Sequence, residues 1–218
     1  SKCQRPRIAR YAGIAKIALV VEALHSLRSI ERLDGTPRNR RVRLHAAAVI
    51  DGNGKTLETF QRKIQFDESK AEPDALAMNH YSADVWKAEA LPESQVVAEF
   101  AAFLKRHTSV EMLSKRTGRP YSVARLAGYN AATFDGPRIK EMFRRHQAFL
   151  PAHPLVLCVM QRAMWWTQET GTKLENLKLG TVAAALGIDH ADAHDALGDV
   201  ITTAAVARAL TGFGRAAA

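Results

Sequence analysis

The chain has 218 residues, of which 47% are apolar and 24% charged, so it can bury a substantial core and has an ordinary globular composition. Its two cysteines, Cys3 and Cys158, argue against a disulfide framework and a zinc cluster, and we expect an intracellular, cytoplasmic protein. No apolar run has the length of a membrane span, and Lys16 and Glu22 interrupt the N-terminal apolar stretch, which argues against a signal peptide.

Positive charge is concentrated in two segments of the chain. The net charge is +9, and residues 1–45 contain 11 Lys and Arg against 3 Asp and Glu, while residues 106–178 contain 12 against 5. Residues 179–218 are mildly acidic, with 4 acidic side chains against 2 basic ones. Two basic blocks beside a small acidic region favour a polyanionic partner such as nucleic acid. A basic surface that only keeps the protein soluble is the alternative.

The first third of the chain has the pattern of a small sheet. Residues 14–24 form a near-continuous apolar run that predicts a strand covered on both faces. Residues 42–50 and 55–66 predict two further strands, and the Asp-Gly-Asn-Gly sequence at 51–54 favours a hairpin turn between them. These three strands are expected to lie side by side.

Helical patterns then alternate with short apolar runs. Residues 92–107 have the clearest helical pattern, with one apolar face formed by Val96, Val97, Phe100, Phe103 and Leu104. The other predicted helices lie at 73–80, 135–145, through Trp165 and Trp166, at 178–186 and at 201–210; the predicted buried strands lie at 123–128 and 155–160, and residues 108–120 are predicted to be a loop. This order predicts an α/β domain with a mixed central sheet of about five strands flanked by helices.

The stretch His194-Asp195-Ala196-Leu197-Gly198-Asp199 is the first candidate for chemistry. Asp195 is in a position to cap the last helix, which puts His194 in the entry loop and Asp199 in the first helical turn, facing the same side. A general base beside a metal-binding carboxylate needs this arrangement. A capped helix with a surface histidine is the alternative interpretation.

Two further carboxylates occupy informative positions. Asp135 follows Asn130-Ala131-Ala132-Thr133-Phe134 at the end of a predicted buried strand, where ligands of open α/β sheets commonly bind. A simple helix cap would explain it equally well. Glu22 lies at the end of the first apolar strand, where a carboxylate is costly unless it is paired or bound to a cation. The strand could also be emerging into solvent there.

Together these stretches resemble the DnaQ-like DEDDh 3′–5′ exonucleases. The family's second motif, Asn-x-x-x-Phe-Asp, matches residues 130–135, and its third, His-x-Ala-x-x-Asp, matches residues 194–199, in the same order. The resemblance covers residues 14–211. We therefore predict one exonuclease-type domain there, preceded by a basic segment at 1–13 and followed by a tail at 212–218.

The resemblance implies an RNase H-like fold and hydrolysis at the 3′ ends of single-stranded DNA or RNA with two divalent ions, Mg²⁺ or Mn²⁺. Carried over by position, Glu22, Asp135 and Asp199 would be metal ligands, and His194 would be the general base. The positions that the family comparison places along the substrate are Ala23, Leu24, Tyr129, Asn130 and Phe134. A homodimer or another protein partner stays open.

The first motif departs from the family pattern. Aligning Glu22 with the family's glutamate puts Val20 where the family has an aspartate that bridges both metals, and Ala23 where it has threonine. Losing that ligand is expected to cost on the order of a thousand-fold or more in rate. Asp34 or Asp195 could substitute for it. An exonuclease fold that has lost catalysis and binds nucleic acid or a protein partner is therefore the alternative function.

Two other features allow two interpretations each. The basic loop Arg38–Arg43 could contact phosphates or could be a solvated loop. Trp165 and Trp166 could stack on bases, or could divide between core and interface.

Overall fold

The structure is a computed structural model that describes residues 16–19, 44–51, 55–70, 76, 81–190 and 196–211. Groups of strands are followed by groups of helices along this part of the chain. The strands are β1 (Lys16–Leu19), β2 (Leu44–Asp51), β3 (Thr56–Lys63), β4 (Val110–Leu113), β5 (Pro120–Val123), β6 (Leu126–Gly128) and β7 (Leu157–Cys158). The helices are α1 (Ala83–Glu89), α2 (Glu93–Arg106), α3 (Asp135–Arg145), α4 (Val159–Thr170), α5 (Leu179–Ala185) and α6 (Ala196–Thr211), with a 3₁₀ turn at Glu68–Lys70.

Five strands form one mixed sheet in the order β3-β2-β1-β6-β7. β1 is antiparallel to β2, and β2 to β3, whereas β1, β6 and β7 run parallel to one another. Leu19, the last residue of β1, is in register with Ala127 of β6. The carboxyl ends of the three parallel strands therefore meet at one edge of the sheet, and predicted site residues follow β1 and β6 in the sequence.

Helices cover the sheet on both faces, and the alternation of side chains along β2 shows why. Ala47 and Val49 pack in a cluster with apolar residues of α2 and α3, whereas Ala46, Ala48 and Ile50 pack against α6. A strand segment buried on both faces has no polar positions, which accounts for the unbroken apolar run at residues 46–50 of β2. A third cluster joins α4, α5 and α6.

The helix predicted at residues 92–107 is confirmed as α2, and all five predicted apolar residues on it are buried. Phe100 is at its centre, with its ring centroid 5.3 Å from that of Phe60 and 6.3 Å from that of Phe143. The helix predicted at 135–145 is confirmed as α3 with the same bounds. Gly187 follows α5 with a φ of +69°, as expected of a residue that ends a helix.

Several predicted elements differ from the structure. The predicted loop at 108–120 is wrong, because β4 and β5 form a separate antiparallel hairpin there. The predicted strand at 155–160 shortens to β7, and Met160 belongs to α4. Helix α1 was not predicted, and the helix predicted at 73–80 lies outside the described residues except for Leu76, which is helical. Within the described ranges, no helix is long and apolar enough to cross a membrane.

Candidate functional site

A tight turn after β6 sets the position of Asp135. Asn130 adopts a left-handed conformation with a φ of +56°, which asparagine tolerates better than most residues. Its carbonyl accepts hydrogen bonds from the backbone N–H groups of Thr133 and Phe134 at 3.3 and 3.1 Å. Its side-chain oxygen accepts one from the Thr133 hydroxyl at 2.5 Å. Asn130 therefore shapes the turn that delivers Asp135 to the start of α3.

Gly136 allows the chain to close after this turn. Its N–H donates to the carbonyl of Ala131 at 2.8 Å. A Cβ at Gly136 would lie 2.9 Å from that carbonyl oxygen, closer than real Cβ atoms come to a neighbour, and 3.0 Å from Cγ2 of Val156, which is tighter than most Cβ contacts. The residue after Asp135 is therefore restricted to glycine by packing.

Asp135 is the most unusual titratable side chain in the described structure. Only 2% of it is exposed, and its Oδ1 has no hydrogen-bond partner among the described residues. Burial raises the pKa of this carboxyl from 3.8 to about 7, and the positive charge of Arg138 partly opposes that shift. A buried carboxylate with an unused oxygen is a candidate ligand for a cation.

Arg138 lies one turn along α3 from Asp135 and covers the neighbouring aromatic ring. Its guanidinium carbon is 3.5 Å from the centroid of the Phe134 ring, and its Nη1 donates to the Phe134 carbonyl at 2.8 Å. Phe134 also packs against the cluster formed with α2 and α3. The ring predicted to meet substrate is therefore half-buried, with Arg138 stacked on it.

Tyr129 ties the same strand end to the segment before α5. Its hydroxyl donates to the carbonyl of Leu177 at 2.7 Å. Burial, with a smaller contribution from Cys158, raises the pKa of Tyr129 to about 12, so the hydroxyl keeps its proton. Its hydrogen bond thus fixes the position of the segment before α5 relative to the strand end beside Asn130.

Asp199 lies in the first turn of α6, as predicted. The N-terminal half of this helix packs on the sheet through Ala196 and Val200, in one cluster with Ala127 near the end of β6. Asp199 accepts a hydrogen bond at Oδ1 from Nε2 of His190 at 2.8 Å. The side chains of His190 and Asp199 are 17% and 23% exposed, so this pair lies largely out of solvent.

The remaining predicted site residues lie outside the described residues. They are Val20, Glu22, Ala23 and Leu24 after β1, His194 and Asp195 before α6, and Asp34 and the Arg38–Arg43 loop. Within the described ranges, no group of three or more His, Cys, Asp or Glu could hold a metal ion. Asp135 and Asp199 are the predicted ligands that the structure describes, and their roles stay predictions.

The two tryptophans divide between core and surface. Trp166 packs against the cluster of α4, α5 and α6, whereas Trp165 is 67% exposed beside the exposed Met164. Base stacking by Trp165 stays a prediction.

The chemistry of the described donors fits a hard divalent cation. Mg²⁺ and Mn²⁺ prefer carboxylate oxygens, and Asp135 offers one that is buried and without a hydrogen-bond partner in the described part of the chain. Asp199 uses Oδ1 for His190, and none of the described side chains hydrogen-bonds to its Oδ2. Both carboxylates therefore have an oxygen available for a cation.

Sequence reasoning missed two charged or titratable neighbours of the site. Arg138 could have been found from its spacing of three residues from Asp135 on a helix, because such positions share a face. His190 had a weaker signal, since its separation of nine residues from Asp199 matches no regular spacing on a single strand or helix turn. Only the structure brings those two side chains together.

The prediction of an α/β fold is confirmed by the mixed sheet and its covering helices. Neither a sequence model of a protein family nor a curated protein sequence matches the chain. Solved structures of exonuclease I do match. One superimposes with a TM-score of 0.67 and 17% sequence identity over 91% of this chain and 41% of that protein.

Two further structures agree. E. coli exonuclease I in complex with a dA16 oligonucleotide gives a TM-score of 0.65 at 16% identity, over 91% of this chain and 41% of that one. Exonuclease I from Methylocaldum szegediense gives 0.65 at 18% identity, over 91% and 40%. The chain spans about two-fifths of the length of these proteins and shares their fold over that part.

Proposed function

We propose that this chain is a metal-dependent 3′–5′ exonuclease that hydrolyses phosphodiester bonds at the 3′ ends of single-stranded nucleic acid. The observation that carries the proposal is Asp135. A carboxyl group with 2% exposure and an Oδ1 without a hydrogen-bond partner among the described residues stands at the start of α3. In the apo protein such a group is destabilising, and a bound cation would offset the cost.

The fold supports the same conclusion. Structures of exonuclease I with the same fold include complexes with dA16 and dT13 oligonucleotides and a zinc-bound complex with single-stranded DNA. The motifs at 130–135 and 194–199 occur in the order of the DEDDh exonucleases. The net charge of +9 favours a polyanionic substrate.

In this proposal Glu22, Asp135 and Asp199 hold divalent cations, Mg²⁺ or Mn²⁺. Such ions would polarise the scissile phosphate and stabilise the leaving 3′ oxygen. His194 accepts the proton of the attacking water. Asn130 and Phe134 shape the wall of the substrate groove, with Arg138 stacked on the Phe134 ring.

Because Val20 replaces a metal-binding aspartate, we propose that the nuclease activity is low. A valine side chain cannot replace a bridging carboxylate, so the site has one negative charge fewer with which to balance two cations. We expect the parent rate to lie on the order of a thousand-fold or more below that of an intact site.

The second candidate is a nucleic-acid-binding or protein-binding module without catalysis. The observation that favours it is Arg138, whose positive charge lowers the pKa of Asp135 against the effect of burial. A built-in cation beside the carboxylate reduces the need for a metal ion. A site that no longer binds two metal ions would be expected to contain such a cation and to lack the carboxylate that Val20 replaces.

Degradation of 5′-labelled single-stranded DNA and RNA with Mg²⁺ or Mn²⁺ separates the two candidates. The proposal expects slow, metal-dependent shortening from the 3′ end in the parent, loss of it in His194→Ala, and a large gain in Val20→Asp. No shortening in the parent together with a gain in Val20→Asp would indicate a dormant site. If neither protein cuts but both bind in a salt-sensitive way, the binding module is correct.

A further inference from the structure

His190 is held against Asp199 by contacts on two sides of its ring. Nε2 is 2.8 Å from Asp199 Oδ1 on α6. The Nδ1–Cε1 edge of the ring faces α5, where a Cβ at Gly180 would lie 3.1 Å from Nδ1 and 3.8 Å from Cε1. The imidazole therefore fills the space between the first turns of two helices.

A carboxylate oxygen accepts hydrogen bonds, so in this 2.8 Å contact Nε2 of His190 is the donor and Oδ1 of Asp199 is the acceptor. This bond fixes the rotation of the Asp199 side chain. It leaves Oδ2 without a hydrogen bond from any residue in the described ranges.

We propose that His190 is a positioning residue that orients the Asp199 carboxylate for a divalent cation. This inference rests on the proposed function, in which Asp199 is a metal ligand. His190 does not touch substrate in this account and differs in role from His194. Partners that orient metal ligands typically contribute 10- to 100-fold in metal affinity.

Gly180 provides the space that the His190 ring occupies. A glycine at the second position of α5 leaves room for the imidazole, and an added methyl group would force the ring to shift by a few tenths of an ångström. Alanine also favours a helix more than glycine does. Gly180→Ala should therefore move His190 without lowering the stability of the fold.

The test is Mn²⁺ binding to the protein without nucleic acid, measured by calorimetry or by the EPR signal of free Mn²⁺. We expect His190→Ala to weaken Mn²⁺ binding about tenfold or more. His190→Gln keeps an N–H donor near the position of Nε2 and should recover most of the affinity. Gly180→Ala should lie between the parent and His190→Ala. The control is His153→Ala, whose ring contacts Arg125 elsewhere, and it should bind like the parent.

Nuclease assays separate this role from that of the base. His190→Ala should need about tenfold more Mn²⁺ for half-maximal activity while keeping most of its kcat at saturating metal. His194→Ala should show the opposite pattern, with unchanged Mn²⁺ affinity and a lost kcat.

Equal Mn²⁺ affinity in the parent and in folded His190→Ala would overturn the role of His190 but not the proposed function. If His190→Ala does not fold, parent-like affinity in Gly180→Ala would overturn it instead. Absence of Mn²⁺ binding by the parent would overturn both this role and the proposed function. If the variants bind Mn²⁺ more weakly but the parent never shortens DNA, the result would support the role of His190 and contradict the proposed nuclease function.

Discussion

Burying the carboxyl group of Asp135 lowers the stability of the folded protein when that group is ionised. This carboxyl is buried at the start of α3, and Arg138 is the neighbouring charge that opposes the effect of that burial on its pKa. The folded protein therefore holds the proton on Asp135 more tightly than the unfolded chain does. Below pH 3.8 the group costs nothing, and the cost grows as the pH rises towards 7.

Asp135→Asn should remove this pH dependence. Between pH 4 and pH 8 the metal-free parent should lose up to about 4 kcal/mol of unfolding free energy relative to the variant, because a shift of one pKa unit corresponds to about 1.4 kcal/mol. Urea unfolding in EDTA at several pH values measures the difference. The exposed carboxylate variant Glu111→Gln is the control and should follow the parent. If the unfolding free energies of the parent and Asp135→Asn change with pH in the same way, the raised pKa of Asp135 is contradicted.

Gly136→Ala should destabilise the fold by about 1–3 kcal/mol, because the added methyl group meets the Ala131 carbonyl and Val156 at 3.0 Å or less. Thermal unfolding checks this value. Ala132→Ser, at an exposed position of the same turn, should change stability by less than about 0.5 kcal/mol. A Gly136→Ala protein as stable as the parent would mean that the turn can relax.

At the scale of elements, an ion pair joins the ends of α2 and α3. Glu93, in the first turn of α2, accepts hydrogen bonds from Arg145 at 2.7 and 3.0 Å and lies 2.9 Å from His146. The side chains of Glu93 and Arg145 are 15% and 18% exposed. An acidic group at a helix N-terminus and a basic group at a C-terminus also complement both helix dipoles. This contact holds α3, and with it Asp135, against the helix whose five buried apolar residues join it in one core cluster.

Glu93→Gln should lower the unfolding free energy by about 2 kcal/mol, because it weakens charged hydrogen bonds that are largely out of solvent. Urea unfolding measures the loss. Glu169→Gln, which removes a more exposed pair with Arg162 away from this contact, should have little effect. Equal effects of the two substitutions would show that burial does not strengthen the Glu93 contact.

The elements differ in how far the sequence predicts them. α2 was predictable because five apolar residues repeat at helical spacing and all reach the core. The β4–β5 hairpin was not, because its outer residues are polar or exposed and its pairing is with itself rather than with the central sheet. Helix α1 has no buried residues and so has no apolar stripe to detect.

The site divides in the same way. The carboxylates at 135 and 199 could be predicted, because each follows a pattern local in sequence. Their surroundings could not: the burial of Asp135 depends on packing from several elements, and the bond between His190 and Asp199 joins residues of different segments. Motif spacing identifies candidate ligands, whereas tertiary contacts decide how they are oriented.

At the scale of the whole molecule, charge determines how a nucleic acid would bind. The chain carries 31 Lys and Arg against 22 Asp and Glu. Binding to single-stranded DNA in EDTA should release counterions, so we expect affinity to fall at least about tenfold between roughly 50 and 200 mM salt. Fluorescence anisotropy of a labelled oligonucleotide measures this dependence. Affinity that does not change with salt would argue against contacts to the phosphates.

The most direct measurement is a time course of a 5′-labelled single-stranded oligonucleotide with Mn²⁺. The parent, Asp135→Asn and Glu111→Gln are compared. We predict a ladder of products shortened from the 3′ end with the parent and Glu111→Gln, and none with Asp135→Asn or in EDTA. The same ladder with Asp135→Asn, or no shortening by the parent, would contradict the claim that Asp135 belongs to a working nuclease site.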